Sequence, residues 1–336
     1  MAGNEKIPTT GNRTTLASSV KSFLDQHPQL RLGGNEDFHT ERRHHLEVFG
    51  FHNLDKEKRA PIKHVHFDGI RGRHGTIPVR LFYPQSYEDG KKLPALIYFH
   101  GGGYTVGSVD EFENGLRMLA EAADMITIGV EYRLAPEFMF PTQLDEYEDV
   151  LQWTRGPEGA KLGIDPERVL GGGDSAGGNM TAALCLRLQD SKQKQQPLKA
   201  QILLYPEARL PFDTPAAAEN NSGYYLECNG IFSFADHYLP RAPDAAYPPS
   251  HRYISPGMQP VEKLSGLPPA AVFTCGFDPL RDVGVEYAAR LRKAGNRVTW
   301  CHYPDLTHGF LQMAPWSGEA ERAVLEVARV MRELAK

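Results

Sequence analysis

Gly171-Gly172-Gly173-Asp174-Ser175-Ala176-Gly177-Gly178 is the stretch that decides the reading of this chain. It stands between a short apolar run, Arg168 to Leu170, and a stretch of helical period, Ala176 to Leu188, and it contains G-x-S-x-G as Gly173-Asp174-Ser175-Ala176-Gly177. Where a strand turns sharply into a helix around a serine, small residues are required two positions to either side, because backbone and neighbouring strands crowd the turn. Ser175 Oγ is then expected to project from the carboxyl edge of a sheet. It would also sit at a helix N-terminus, whose free N–H groups and positive dipole end favour developing negative charge.

Two rival readings use the same glycines. Gly171-x-Gly173-x-x-Ala176 fits the dinucleotide fingerprint, but that motif needs an acidic residue about 20 positions on, at the end of the next strand. Here the strand ends at Glu207, 36 residues beyond Gly171. A phosphate-binding loop fails because neither glycine cluster runs into G-K-[ST]. The serine reading gains from His100-Gly101-Gly102-Gly103-Tyr104, directly after the apolar run Leu93 to Phe99. Acyl transfer needs N–H donors aimed at the tetrahedral oxyanion, each worth about 3 kcal/mol, and a glycine run brings bare backbone close to the nucleophile. The expected donors are Gly102, Gly103 and Ala176. His100 is expected to hold its loop, because as a base it would precede the serine, the wrong chain order for this arrangement.

The order Ser, Asp/Glu, His is supplied further on. His308, in Thr307-His308-Gly309-Phe310, follows the last strand-like run, and Asp278, in Gly276-Phe277-Asp278-Pro279-Leu280, follows the one before. Glu207 is the next candidate acid. Asp282 should lie in a helix, and Asp305 is too near His308 along one loop to reach its far side.

Around these residues the chain alternates between strands and helices. Strands are expected at Ile62 to Phe67, Ile77 to Tyr83, Leu93 to Phe99, Met125 to Val130, Arg168 to Leu170, Ala200 to Tyr205, Ala270 to Cys275 and Arg297 to Tyr303. Helices are expected around Phe112 to Ala123, Gln143 to Trp153, Ala176 to Leu188, Val283 to Ala294 and Glu319 to Leu334. This is the rhythm of βαβ units and of a mostly parallel sheet covered on both faces. About fifty residues from Glu207 to Gly257, rich in Pro, Asn and aromatics, are too long for a βα loop of about 2 to 6 residues and read as an inserted lid. Amphipathic patches at Leu16, Val20, Phe23 and Leu24, and at Phe38, Leu46, Phe49 and Phe51, need something to cover.

The 336 residues are 41% hydrophobic and 24% charged, with a formal net charge of -5, so the chain can bury a sizeable core and lacks the basic balance of a nucleic-acid binder. No apolar run is long enough to insert in a membrane. The polar start, Met1 to Thr15, shows no secretory signal, and the expected location is cytoplasmic. Four scattered cysteines form no C-x-x-C pair and read as buried thiols. The histidines of the N-terminal third, including His44, His45, His64 and His66, lack a carboxylate or cysteine at ligand spacing, so no metal is called for. Asn179-Met180-Thr181 matches a glycosylation sequon but falls inside an expected helix.

Taken in order, His100 to Tyr104, Tyr132-Arg133-Leu134-Ala135-Pro136-Glu137, Gly173 to Asn179, Asp278-Pro279-Leu280-Arg281-Asp282 and His308-Gly309-Phe310 resemble the hormone-sensitive-lipase-like esterases of the α/β-hydrolase fold. The resemblance runs from about Ile62 to the C-terminus. It implies a mostly parallel eight-stranded sheet with helices on both faces and a helical cap. Residues 1–60 would form the N-terminal part of the cap, 61–206 and 257–336 the catalytic domain, and 207–256 the inserted part. It further implies a cofactor-free serine carboxylesterase for small, short-acyl esters, with Ser175, Asp278 and His308 as triad. Amide hydrolysis or deacetylation by the same triad stays open, as does a homodimer. A third reading, a small-molecule receptor on the same fold, is disfavoured by the presence of His308. Tyr104, Asp174, Tyr224 and Phe232 are the candidate substrate contacts. Arg133 and Glu137 are expected to form structural ion pairs.

Overall fold

The structure, a computed structural model, describes residues 6–34, 37–191, 197–240 and 247–336. Parts of both expected cap segments, residues 1–5, 35–36 and 241–246, therefore lie outside the described residues.

Eight strands form one sheet: β1 His64–Gly72, β2 Gly75–Tyr83, β3 Leu93–Phe99, β4 Ile126–Val130, β5 Ile164–Asp174, β6 Gln201–Leu204, β7 Ala270–Phe277 and β8 Val298–Thr307. Their order is β1-β2-β4-β3-β5-β6-β7-β8. Only the β1/β2 and β2/β4 pairings are antiparallel; from β4 to β8 the sheet is parallel. Two strands run well past the sequence expectation. β5 continues through the glycines to Asp174, because Gly171, Gly172 and Gly173 pair with Ile97, Tyr98 and Phe99 of β3. β8 continues to Thr307, which pairs with Phe277 beyond a register shift. Asp305 is accordingly a strand residue rather than part of a loop.

The helices are α1 Ser18–Gln26, α2 Phe38–Phe49, α3 Val109–Ala123, α4 Thr142–Arg155, α5 Pro157–Lys161, α6 Ala176–Asp190, α7 Pro215–Glu219, α8 Cys228–Tyr238, α9 Arg281–Lys293, α10 Phe310–Met313 and α11 Gly318–Leu334. Adjacent strand residues point to opposite faces, and β3 shows what each face meets. Tyr98 turns toward Phe112 of α3, whereas the Phe99 ring stacks on Tyr147 of α4 at 3.9 Å. α11 packs beside α3, and α6 beside α4. Both faces are thus covered, which is why the six residues from Pro94 to Phe99 are all buried and read as one apolar run instead of an alternating pattern. None of the described helices is long and apolar enough to cross a membrane.

The chain before β1 and the insertion after β6 meet over the carboxyl edge of the sheet. Leu32 bridges Leu226 in parallel, with Leu32 N–H donating to Tyr225 O at 2.8 Å and Glu227 N–H to Leu32 O at 2.9 Å. Gly33 and Gly230 touch backbone to backbone: a Cβ on Gly230 would stand 2.0 Å from Gly33 O. Asn179, buried in α6, ties down both ends of the insertion, its Nδ2 donating to Glu207 O at 2.6 Å and to Ile254 O at 2.8 Å. The sequon asparagine is therefore held inside the protein, its amide nitrogen bonded on both sides.

Candidate active site

Ser175 is the hinge between β5 and α6. It has φ +52° and ψ −118°, a conformation costing about 1–3 kcal/mol for a residue with a side chain. The surroundings hold it there. Its N–H donates to Leu204 O at 2.9 Å, and its carbonyl accepts from Asn179 N at 3.0 Å and Glu207 N at 3.2 Å. The flanking glycines are steric necessities, because a Cβ on Gly177 would stand 1.7 Å from Phe99 O, and one on Gly173 2.3 Å from the same atom. Two parallel strands and a helix start converge here more closely than any side chain permits.

His308 lies between the end of β8 and α10, and Asp278 between the end of β7 and α9. His308 Nδ1 is 2.9 Å from Asp278 Oδ2, and both side chains are buried. The other carboxylate oxygen, Oδ1, accepts Leu280 N–H at 2.8 Å, which fixes the Asp278 rotamer. His308 Nε2 is buried and has no hydrogen-bond partner among the described residues. The Tyr205 ring lies 4.6 Å from the imidazole. The insertion supports the Asp278 loop as well. Asn220 Nδ2 donates to Gly276 O and to Asp278 O, both at 3.1 Å, and Glu219 pairs with the buried Arg281 at 2.8 Å. Asp282, inside α9 as expected, accepts from Arg281, Gly11 and Ala216.

Glu207, the alternative acid, is buried at the end of β6, and burial pushes its carboxyl up to about 8. It makes no hydrogen bond to His308.

The glycine loop after β3 presents bare backbone as expected. Gly102 and Gly103 have φ +103° and +57°. Gly102 O accepts Thr105 N at 3.0 Å and Val106 N at 2.8 Å, which curls the loop so that the Gly102 and Gly103 N–H groups find no acceptor among the described residues. Ala176 opens α6, and its N–H belongs to the four that a helix leaves without an intrahelical partner. His100 is a loop holder: Nδ1 hydrogen-bonds Gly101 O at 2.8 Å, Tyr132 Oη donates to His100 O at 2.8 Å, and burial holds the imidazole down to about 4. Arg133 pairs with Glu146. Glu137 pairs with Arg42 of α2, which also donates to Thr105 O at 2.7 Å and Ala135 O at 3.0 Å.

The structure sets the four expected substrate contacts in different surroundings. Phe232 is 52% exposed, on the outer side of α8 against Phe212, because Ile231, Phe234 and Tyr238 form the buried side of that helix. Tyr104 is buried face to face with Tyr238 at 3.6 Å and does not border the cavity beside His308. The Tyr224 ring leans on Phe277 and Arg13, away from that cavity, while the next residue, Tyr225, lines it. Asp174 does border the cavity, but its Oδ1 already accepts from Tyr98 Oη and Gly101 N–H, both at 2.8 Å, so it braces the glycine loop. Burial raises its carboxyl to about 6, while these hydrogen bonds pull the other way. Sequence reasoning missed His45, Glu111, Gln312 and Phe234. The last sits directly over Gly103, 2.2 Å from where a Cβ would be. Periodicity placed Phe234 on a buried helix side, but only the tertiary fold shows what that side covers.

Among the described residues no group of three or more His, Cys, Asp or Glu side chains is arranged to hold a metal ion. Three of the four cysteines are buried thiols, and Cys301 is half-buried.

A family model described as alpha/beta hydrolase fold matches residues 96–312. The carboxylesterase NlhH of Mycobacterium tuberculosis is 35% identical over 258 residues, 77% of either chain. An ethyl acetate hydrolase of Pseudomonas putida is 33% identical over 260 residues, 77% of this chain and 79% of the other. Among solved structures, a hyperthermophilic esterase from the archaeon Pyrobaculum calidifontis superposes with a TM-score of 0.84 at 32% identity, covering 96% of this chain and 99% of the other. The chain belongs to the α/β-hydrolase family, within its hormone-sensitive-lipase-like esterases.

Proposed function

We propose that this chain, a serine carboxylesterase by its family and relatives, works through Ser175 as nucleophile, His308 as general base and then general acid, and Asp278 as the carboxylate that orients the imidazole. The observation that carries the reading is the 2.9 Å contact between His308 Nδ1 and Asp278 Oδ2 with Nε2 left free, at the sheet edge where the Ser175 elbow stands. His308 Nε2 takes the Ser175 proton as Oγ attacks the ester carbonyl, and Asp278 stabilises the imidazolium formed. The carbonyl oxygen, now negative, is received by the N–H groups of Gly102, Gly103 and Ala176. The C–O bond to the alcohol then breaks, the alcohol leaves with the proton from Nε2, and water repeats the sequence on the acyl-enzyme to release the acid.

We read residues 1–60 and 207–256 as two parts of one cap over this centre; the Leu32–Leu226 bridge and the placement of Phe234 over Gly103 support this. We take its substrates to be small, short-acyl esters, a reading supported by the likeness to an ethyl acetate hydrolase. A series of p-nitrophenyl esters of increasing acyl length tests it. Activity should collapse beyond short chains, and sustained activity on long ones would show an open channel instead.

A further inference from the structure

Arg42, on α2 of the N-terminal segment, ends on the loop that carries Gly102 and Gly103. A guanidinium holds five N–H donors in a rigid plane, and here four of them are engaged. Nε donates to Thr105 O at 2.7 Å and Nη2 to Ala135 O at 3.0 Å, while Nη1 and Nη2 reach the two oxygens of Glu137 at 2.6 and 2.8 Å. The ion pair is the lesser part, because the Glu137 side chain is 43% exposed and exposed pairs contribute little. The two carbonyls belong to chains already joined by Ala135 N–H donating to Tyr104 O at 2.9 Å. That loop needs holding: Gly102, Gly103 and Tyr104 have φ +103°, +57° and +62° in succession. A residue with a side chain persists in such a conformation only where its surroundings over-determine it.

The peptide units carry the hold to the glycines. In a trans unit the C=O of one residue and the N–H of the next point in opposite directions and turn together, and both units concerned here are trans. Thr105 O, held by Arg42, shares its plane with Val106 N–H, which donates to Gly102 O at 2.8 Å. Gly102 O in turn shares its plane with Gly103 N–H, which points away from it and finds no acceptor among the described residues. The guanidinium, the Thr105–Val106 peptide and the Gly102–Gly103 peptide therefore form one chain of hydrogen bonds. A cation at its head polarises every bond in the same sense, so the last N–H becomes a stronger donor. Thr105 braces the same glycines, its N–H donating to Gly102 O at 3.0 Å and its Oγ1 to Gly103 O at 3.1 Å.

We infer that Arg42 is a positioning residue for the oxyanion hole: from α2 it holds Thr105 O and, through two peptide units, aims Gly103 N–H at the developing negative oxygen. The N-terminal segment then contributes to the chemical step as well as to enclosing the substrate. This rests on the reading of Ser175, Gly102 and Gly103 given above.

The test compares kcat and KM on p-nitrophenyl butyrate with the inhibition constants of trifluoromethyl propyl ketone and methyl propyl ketone. Attack of the serine on the first gives a tetrahedral oxyanion, whereas the second stays a bound ground-state mimic. In Arg42→Met, kcat should fall at least about tenfold with KM within about twofold, since complete loss of one donor costs about 10²–10³. The preference for the trifluoromethyl ketone should fall by the same factor. Arg42→Lys, which keeps a cation without the fork, should lose part of both. A folded Arg42→Met that retains the wild-type preference overturns the inference, whatever its Tm or activity, because a merely structural residue would weaken both ketones alike or neither. Should Arg42→Met not fold, Arg42→Lys decides by the same preference, and a wild-type value there overturns the inference. A wild type that binds the two ketones equally overturns the serine and oxyanion reading itself, and the part of Arg42 with it.

Discussion

Asp278 Oδ2 stands 2.9 Å from His308 Nδ1, whereas Glu207, equally buried at the end of the neighbouring strand, makes no bond to that imidazole. Asp278→Asn should accordingly lose about 10⁴-fold in kcat, because the amide presents its N–H to Nδ1 and selects the wrong tautomer. Glu207→Gln should stay within a few-fold of the wild type. Steady-state rates on p-nitrophenyl butyrate with the two variants side by side decide the matter, and the reverse pattern would move the acid to β6.

Replacing Ser175 by alanine removes the attacking oxygen while keeping a Cβ at the strained hinge. The variant should fold, with an unchanged far-UV circular dichroism spectrum, and lose at least about 10⁴-fold in hydrolysis. Residual turnover near the wild-type rate in a homogeneous preparation would place the nucleophile elsewhere.

Gly177 cannot carry a side chain, since its Cβ would be 1.7 Å from Phe99 O. Backbone cannot give way as a flexible side chain can, so Gly177→Ala should cost more than about 3 kcal/mol, in the upper range for single substitutions. A urea-unfolding midpoint matching that of the wild type would show that β3 and α6 can separate at the elbow.

Glu207 also gives a pH signature. Its carboxyl is raised from an ordinary value near 4.5 to about 8, so between those pH values the folded protein binds more protons at this position than the unfolded chain. The stabilisation is complete below about pH 4.5 and is lost as pH rises through 8. Glu111 is raised to about 8 as well and acts in the same direction. Glu207→Gln removes one of the two contributions, so its Tm should fall less than that of the wild type between pH 5 and pH 8. Parallel Tm curves for the two proteins over that range would refute the burial-driven shift.

Much of this was legible in the order of the residues, for reasons that differ by element. Leu93 to Phe99 matched β3 residue for residue, because a strand buried on both faces leaves a continuous apolar run. Gly171 to Gly173 hid the end of β5, since glycine carries no strand signal although here it pairs along β3. The triad candidates could be found because each follows a strand end in a fixed order. The cavity could not: His45 was one histidine among many in the N-terminal third, and nothing near it in sequence announces that the fold brings it beside Glu111 of α3. Tyr224 and Tyr225 were equivalent as letters. The backbone of Tyr225, at φ +80°, sends its ring to the cavity and leaves Tyr224 against Phe277.

The backbone contact between Gly33 and Gly230 bears on how such a protein can change. With Gly33 and Gly230 in backbone contact and Leu32 bridged to Leu226, the segment before the first strand and the segment after the sixth are cut to fit each other. Transplanting residues 207–256 from a relative with a side chain at position 230 onto this scaffold would drive that side chain into Gly33. Moving both segments together carries the fit along. Segments nearly two hundred residues apart in the gene are thus expected to be inherited as a pair, and recombination between them should break more hybrids than it makes.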